Sequence, residues 1–173
     1  MRFSEIVSVS YLELGIKEIN SKNNYNKALD YFLKSIKIKE FPDTFNQIGL
    51  IYFNGDINLR DHIKAEEAFN KSIELDGSFL SAILNKGLLF HRQQKLEEAI
   101  TTFLSPFKKG NNYSIDPKSN YFHIAANQIS LTISYLANKD SSLSDTYIKL
   151  LQFILANNND PQTKINAKGS FMI

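Results

Sequence analysis

The chain contains no cysteine. That removes disulfide frameworks, thiolate metal sites and cysteine nucleophiles together. Its three histidines, His62, His91 and His123, are scattered, and no His-Glu-x-x-His occurs. No metal-binding or histidine-based catalytic pattern is present. Gly-x-Gly-x-x-Gly and phosphate-loop sequences are absent too. An excess of charge of either sign is nearly absent: 20 Lys and Arg against 18 Asp and Glu leave a net charge of +2, too little to draw nucleic acid or an anionic membrane. No apolar run approaches the roughly 18 residues of a membrane helix. Glu5 and Glu13 interrupt the N-terminal apolar residues, which is unlike a secretory leader. These absences predict a non-enzymatic cytoplasmic protein with no cofactor, no nucleic-acid partner and no direct membrane insertion. The Asn-x-Ser sequons at Asn70 and Asn112 are expected to be silent there.

One arrangement recurs three times: Gly15, Ala28, Phe32; Gly49, Ala65, Phe69; Gly87, Ala99, Phe103. Each Ala is followed four residues later by its Phe, and the Ala-to-Ala steps are 37 and 34 residues. A period of this size, with small residues at fixed slots, indicates a helical repeat array. Seven glycines and four prolines leave long stretches free of helix breakers. Apolar stripes such as Ala28, Leu29, Tyr31, Phe32, Ser35, Ile36 follow helical spacing.

The spacing predicts helices at about 4–22, 25–39, 43–54, 62–75, 78–93 and 95–109. Turns are expected at Asn23-Asn24, Pro42-Asp43, Asn54-Gly55-Asp56 and Asp76-Gly77, with Ser78 as N-cap of the fifth helix. A degenerate fourth pair follows at about 119–138 and 142–157. Its slots hold Ser134, Thr146 and Leu150, and Ser142-x-x-Asp145 is a capping-box variant. The Gly and Ala slots should mark close helix approach, with the Phe side chains filling the space between successive pairs. The fold class is all-α, a solenoid of about four helix pairs. Domain limits are 1–157, with an insert at 109–118, then a tail at 158–173.

The second and third copies resemble the tetratricopeptide repeat. Phe45-x-x-Ile48-Gly49-x-x-Tyr52 matches its first-helix signature, and Ala65-x-x-x-Phe69-x-x-Ser72-Ile73-x-Leu75-Asp76 its second. From Gly to Ala the third copy takes 12 residues; copy one has one more and copy two four more.

A narrower resemblance runs from about Tyr11 to Lys164. The stretches from Ala65 to Ile73 and from Lys86 to Phe90 are similar to the N-terminal repeat domain of the NADPH oxidase activator family, the larger cytosolic activator subunit of the phagocyte-type oxidase. That family also places an insert after the third repeat, where Lys109-Gly110-Asn111-Asn112-Tyr113-Ser114-Ile115-Asp116 stands here. The resemblance implies binding of a GTP-loaded Rac-type small GTPase through the insert and the loops between repeats. The protein would then be a regulatory subunit working with the other subunits of a superoxide-generating oxidase, recruited to membranes through its partners. Matched residue by residue, the partner-binding positions are Lys109, Asn111, Asp116, Asp76 and Ser78.

The departures are specific. Lys109 replaces an arginine and cannot make a planar bidentate contact. Ser78 replaces a histidine, and the loop at Pro42 and Asp43 lacks the family's Ser-Arg pair. The family's activation segment, SH3 and PB1 domains are not recognisable in the sequence, which leaves open a fragment or a binder that does not activate.

Each site residue also has a plain role. Lys108-Lys109-Gly110 suits a helix C-terminus. Asp76 is an ordinary repeat ending, and Asn111 and Asp116 are turn formers. The alternative function is a general scaffold holding a peptide in its concave groove. A chaperone-type carboxylate clamp is argued against, because its slots hold Leu12, Ile16, Gln47, Ser81 and Asn85, without a cation. Asn157-Asn158-Asn159-Asp160-Pro161 should end the last helix, and the apolar Phe171, Met172 and Ile173 are expected to fold back partly into the groove.

Overall fold

A computed structural model describes residues 3–107, 124–125, 127–129, 131–132, 135, 164–165 and 171–172. The helices among them are α1 (Phe3–Lys22), α2 (Tyr25–Ile38), α3 (Pro42–Asn54), α4 (His62–Leu75), α5 (Leu80–Arg92) and α6 (Leu96–Leu104), followed by a 3-10 turn, Ser105–Phe107. The described residues between 124 and 135 are helical as well. The remaining element is a two-residue antiparallel ladder, β1 (Lys164–Ile165) with β2 (Phe171–Met172). The all-α class read from the sequence holds. The insert and the second helix of the expected fourth pair lie outside the described residues. So does the tail, except for those four strand residues.

The helix ends have local causes. Asn24 caps α2, its side-chain oxygen accepting from Lys27 N at 3.1 Å. Asn23 before it has φ 50°, a left-handed conformation that Asn tolerates. Asp61 caps α4 by accepting from the backbone N–H groups of Ile63 and Lys64. Pro42 stands in the first turn of α3, where its missing N–H costs nothing. Pro42-Asp43 is therefore the start of a helix rather than a turn.

Two other expected boundaries are corrected. The sixth helix stops at Leu104 rather than 109, because Pro106 has no N–H to donate and disfavours helical backbone before it. The fifth begins at Leu80, and Ser78 is not its N-cap. Ala82 N and Ile83 N bond to Phe79 O, which puts Phe79 at the cap position.

The chain divides into two compact units, Met1–Leu89 and Phe90–Ile173. In the first, α1 packs on α2, α2 on α3, and α3 on α4. All three recurring slots of copies one and two are buried in it. Phe32 joins Ala28, Ile48, Ile51 and Ala68 in one core cluster, and Phe69 joins Phe53, Ala65 and Leu89 in another. The glycines are required by the rings of their own pair. A Cβ at Gly15 would lie 2.3 Å from Phe32 Cε1, and one at Gly49 2.5 Å from Phe69 Cε1. Each Phe thus fills space inside its pair as well as between pairs. In the second unit, Leu96, Ala99, Ile100, Phe103 and Leu104 give α6 one buried face, and Lys95 lies over the Phe90 ring.

Candidate partner-binding site

The α3–α4 pair has two distinct ends. Ser72 Oγ donates to Pro42 O at 2.7 Å, and Lys71 pairs with Glu40 at 3.6 Å. The C-terminal end of α4, and with it Asp76, therefore lies beside the start of α3. The loop 55–61 closes the opposite end, about 20 Å away for a 13-residue helix.

Asp76 and Ser78 are brought together. Asp76 Oδ1 accepts from Ser78 Oγ at 2.6 Å and from Ser78 N at 2.9 Å, forming a turn on the protein surface. The Ser78 hydroxyl, then its N–H, hold the Asp76 carboxyl below the usual carboxylate range. The N–H of Lys64 is the main cause of the same effect at Asp61. At Glu18, a buried carboxylate between α1 and α2, the cause is first Lys27, 3.0 Å away.

Depressed acids stabilise the fold above their unfolded pKa of about 4, and that stability is lost as pH falls through the lower folded values. Thermal melting should therefore be insensitive to these three groups from neutral pH down to about 5 and fall below about 4. The double variant Asp61→Asn, Asp76→Asn should show a shallower acid decline in melting temperature. An unchanged acid limb would show that neither carboxylate is linked to folding.

Lys109, Asn111 and Asp116 lie outside the described residues. Of the five sequence-derived positions, the structure thus places Asp76 and Ser78, and it gives both a turn-forming role.

Two polar arrangements were not anticipated. Ser8, Ser35 and Thr44 form a fully buried node. Ser8 Oγ donates toward Ser35 O and Lys39 O at 3.0 Å, Ser35 Oγ donates to Ser8 O at 2.9 Å, and Thr44 Oγ1 lies 3.4 Å from Ser35 Oγ. The Ser35-to-Ser8 bond and the Ser72-to-Pro42 bond are equivalent, each running from seven residues after the Ala slot to seven before the Gly slot. That signal was visible as two serines on apolar stripes. It also makes the sequon at Asn70 a poor acceptor, because its Ser72 is buried.

The second arrangement joins first helices. Asn85 Nδ2 donates to the buried Asn46 Oδ1 at 2.9 Å. Asn46 Nδ2 and Asn85 Oδ1 have no hydrogen-bond partner among the described residues. Half-buried Leu50 and Leu88 lie on the same two helices, and Leu12 and Ile16 on α1. The two amides can offer one donor and one acceptor to a backbone, while the four aliphatic side chains pack partly against the core clusters. Among the described residues no group of three or more His, Asp or Glu could hold a metal, and no helix is long and apolar enough to cross a membrane.

Comparison with known proteins places a tetratricopeptide-repeat model on residues 42–79, the span of α3, α4 and the Asp76 turn. The chain is 33% identical over 79 residues to the photosystem I assembly protein Ycf3 of Acaryochloris marina, covering 44% of this chain and 46% of that protein. It is 31% identical over 84 residues to human tetratricopeptide repeat protein 13, covering 49% and 9% respectively. The chain spans less than half the length of either relative. Neither relative is named for an oxidase, so the oxidase-activator resemblance rests on the sequence motifs alone. Residues 42–79 thus match the tetratricopeptide repeat, one of the two relatives is named for that repeat, and the described helices form an all-α fold consistent with a helical solenoid.

Proposed function

We propose that this protein is a non-enzymatic scaffold that binds other proteins. The observation that carries this is how the repeat slots are used. Gly, Ala and Phe are consumed in holding the helix pairs together, while first-helix faces and loops between helices keep polar groups accessible. Repeat arrays of this kind present surfaces to partners.

The finer reading is a GTP-loaded Rac-type GTPase bound at the loop edge, as a regulatory subunit of a superoxide-generating oxidase in the cytoplasm. It rests on the likeness of 109–116 to the activator insert and on Asp76 in the loop between α4 and α5. Titration of the protein with Rac loaded with a GTP analogue or with GDP tests it. Preferential binding of the GTP form is expected, weakened at least tenfold by Lys109→Glu, an energy within reach of one desolvated charged contact. Asp76→Asn keeps the acceptor for Ser78 and should weaken binding by charge alone. Equal binding of both forms, or none, discards the GTPase and leaves the scaffold.

A second reading is favoured by the Asn46–Asn85 pair: an extended, uncharged peptide held against α3 and α5. Asn85→Ala would weaken such a peptide and leave a loop-edge GTPase unaffected; Lys109→Glu would do the reverse.

A further inference from the structure

Copy two carries four more residues between its Gly and Ala slots than copy three, and they form the loop that joins α3 to α4. The connection does not require them, since α1 and α2 are joined through Asn23-Asn24 alone. The loop is tightly specified. Gly55 N bonds to Ile51 O at 2.8 Å and Asp61 N to Tyr52 O at 2.9 Å. Leu59 N and Arg60 N both bond to Asp56 O. Arg60 Nε donates to Gly55 O at 3.0 Å, and Leu59 is tucked against the core.

What this frame presents is apolar. Ile57 is 76% exposed, and Ile63, just beyond the cap Asp61, is 72% exposed. Among the described residues only Phe3, of the large apolar side chains, is more exposed. Opposite charges flank Ile57. Asp56 makes no side-chain hydrogen bond or ion pair among the described residues. Arg60 uses only Nε, leaving both terminal nitrogens of its guanidinium unengaged.

We infer that this loop is a self-docking knob that joins two copies of the chain. A surface with an acid before an apolar side chain and a base one turn after it is its own complement about a two-fold axis. Ile57 meets Ile57 of the second copy, and each Asp56 faces the other copy's Arg60. Both charges are then paired as the apolar surface leaves water, and no other segment is needed. The patch is small, so the dimer is a weak, reversible one. Its one-sided use of the loop leaves Asp76 and the first-helix face untouched, and the inference stands apart from the identity of any other partner.

Sedimentation equilibrium of the full chain across roughly a hundredfold range of loading concentration tests it. The weight-average mass should rise from 19.8 kDa toward twice that value, and less so in high salt. Ile57→Asp disturbs none of the loop's hydrogen bonds and should abolish the rise with helicity unchanged. Asp56→Arg and Arg60→Asp should each be monomeric alone. An equimolar mixture of the two should associate, because the first chain is then basic at both positions and the second acidic. A monomer at every concentration, a dimer that survives Ile57→Asp, or a mixture that stays monomeric overturns the inference.

Discussion

Replacing Phe69 with Ala is expected to lower the unfolding free energy by about 3–5 kcal/mol. The ring is fully buried. It lies over Gly49, meets Phe53 edge-on at 6.4 Å and closes a cluster with Ala65 and Leu89. Truncation loses the transfer energy of the ring and leaves a cavity that the flanking helices cannot close without shifting. It also removes an aromatic pair contributing about 1 kcal/mol. Against a domain stability of about 5–15 kcal/mol, this is a large share. Urea denaturation followed by helical ellipticity measures it, with Leu33→Ala, a partly exposed position on α2, as the control. A loss below about 1 kcal/mol would mean that the site collapses around the missing ring, or that Phe69 is not where the packing places it.

Gly49→Ala is expected to destabilise as well, although two effects oppose each other. Alanine in a helix interior is favoured over glycine by about 1 kcal/mol. The new methyl would stand 2.5, 2.6 and 3.0 Å from three atoms of the Phe69 ring. A buried ring cannot swing aside as a flexible side chain can, and overpacking costs about 1–3 kcal/mol. The steric term wins, with a net loss of up to about 2 kcal/mol. The combination with Phe69→Leu gives a sharper test. Leucine withdraws the ring atoms that meet the methyl, so the two losses should sum to more than the double variant shows. Strict additivity, or a stabilised Gly49→Ala, would show that the clash is relieved by backbone movement instead.

How much was legible follows from what each residue signals alone. Helices α1 to α4 could be read to within a residue or so, because stripe, cap and turn residues agree there. The partnership of each glycine with a particular ring could not, since period marks a slot without saying what fills it. The sequence singles out Asp76 and Ser78 with separate duties; a short-range hydrogen bond between them takes Ser78 out of the cap. The end of α6 was overrun because the apolar stripe continues past Pro106, where the backbone cannot. The pairing of Asn46 with Asn85 is not legible in the sequence, where Asn85 stands out only as a clamp slot without a cation, because an asparagine in a helix carries no periodic signature and their contact spans 39 residues. The loop 55–61 is legible as excess length and as a turn at Asn54-Gly55-Asp56, but not in what it presents. Its exposed Ile57 becomes distinctive once Leu59 is seen turned inward.

The serine bonds bear on where this architecture can change length. Apolar contacts between helices allow one to slide along the other by a fraction of a turn, whereas the Ser35-to-Ser8 and Ser72-to-Pro42 bonds fix the axial position at one end of each pair. Insertion on the serine side of the Gly and Ala slots would break that alignment. Insertion at the far end would not. Within the first two pairs the length differences fall at the far end, one residue near Asn23 and four in the loop after Asn54. Each of these two helix pairs thus behaves as a hairpin ruled from one end, with the opposite end free to acquire new sequence without disturbing the pairing.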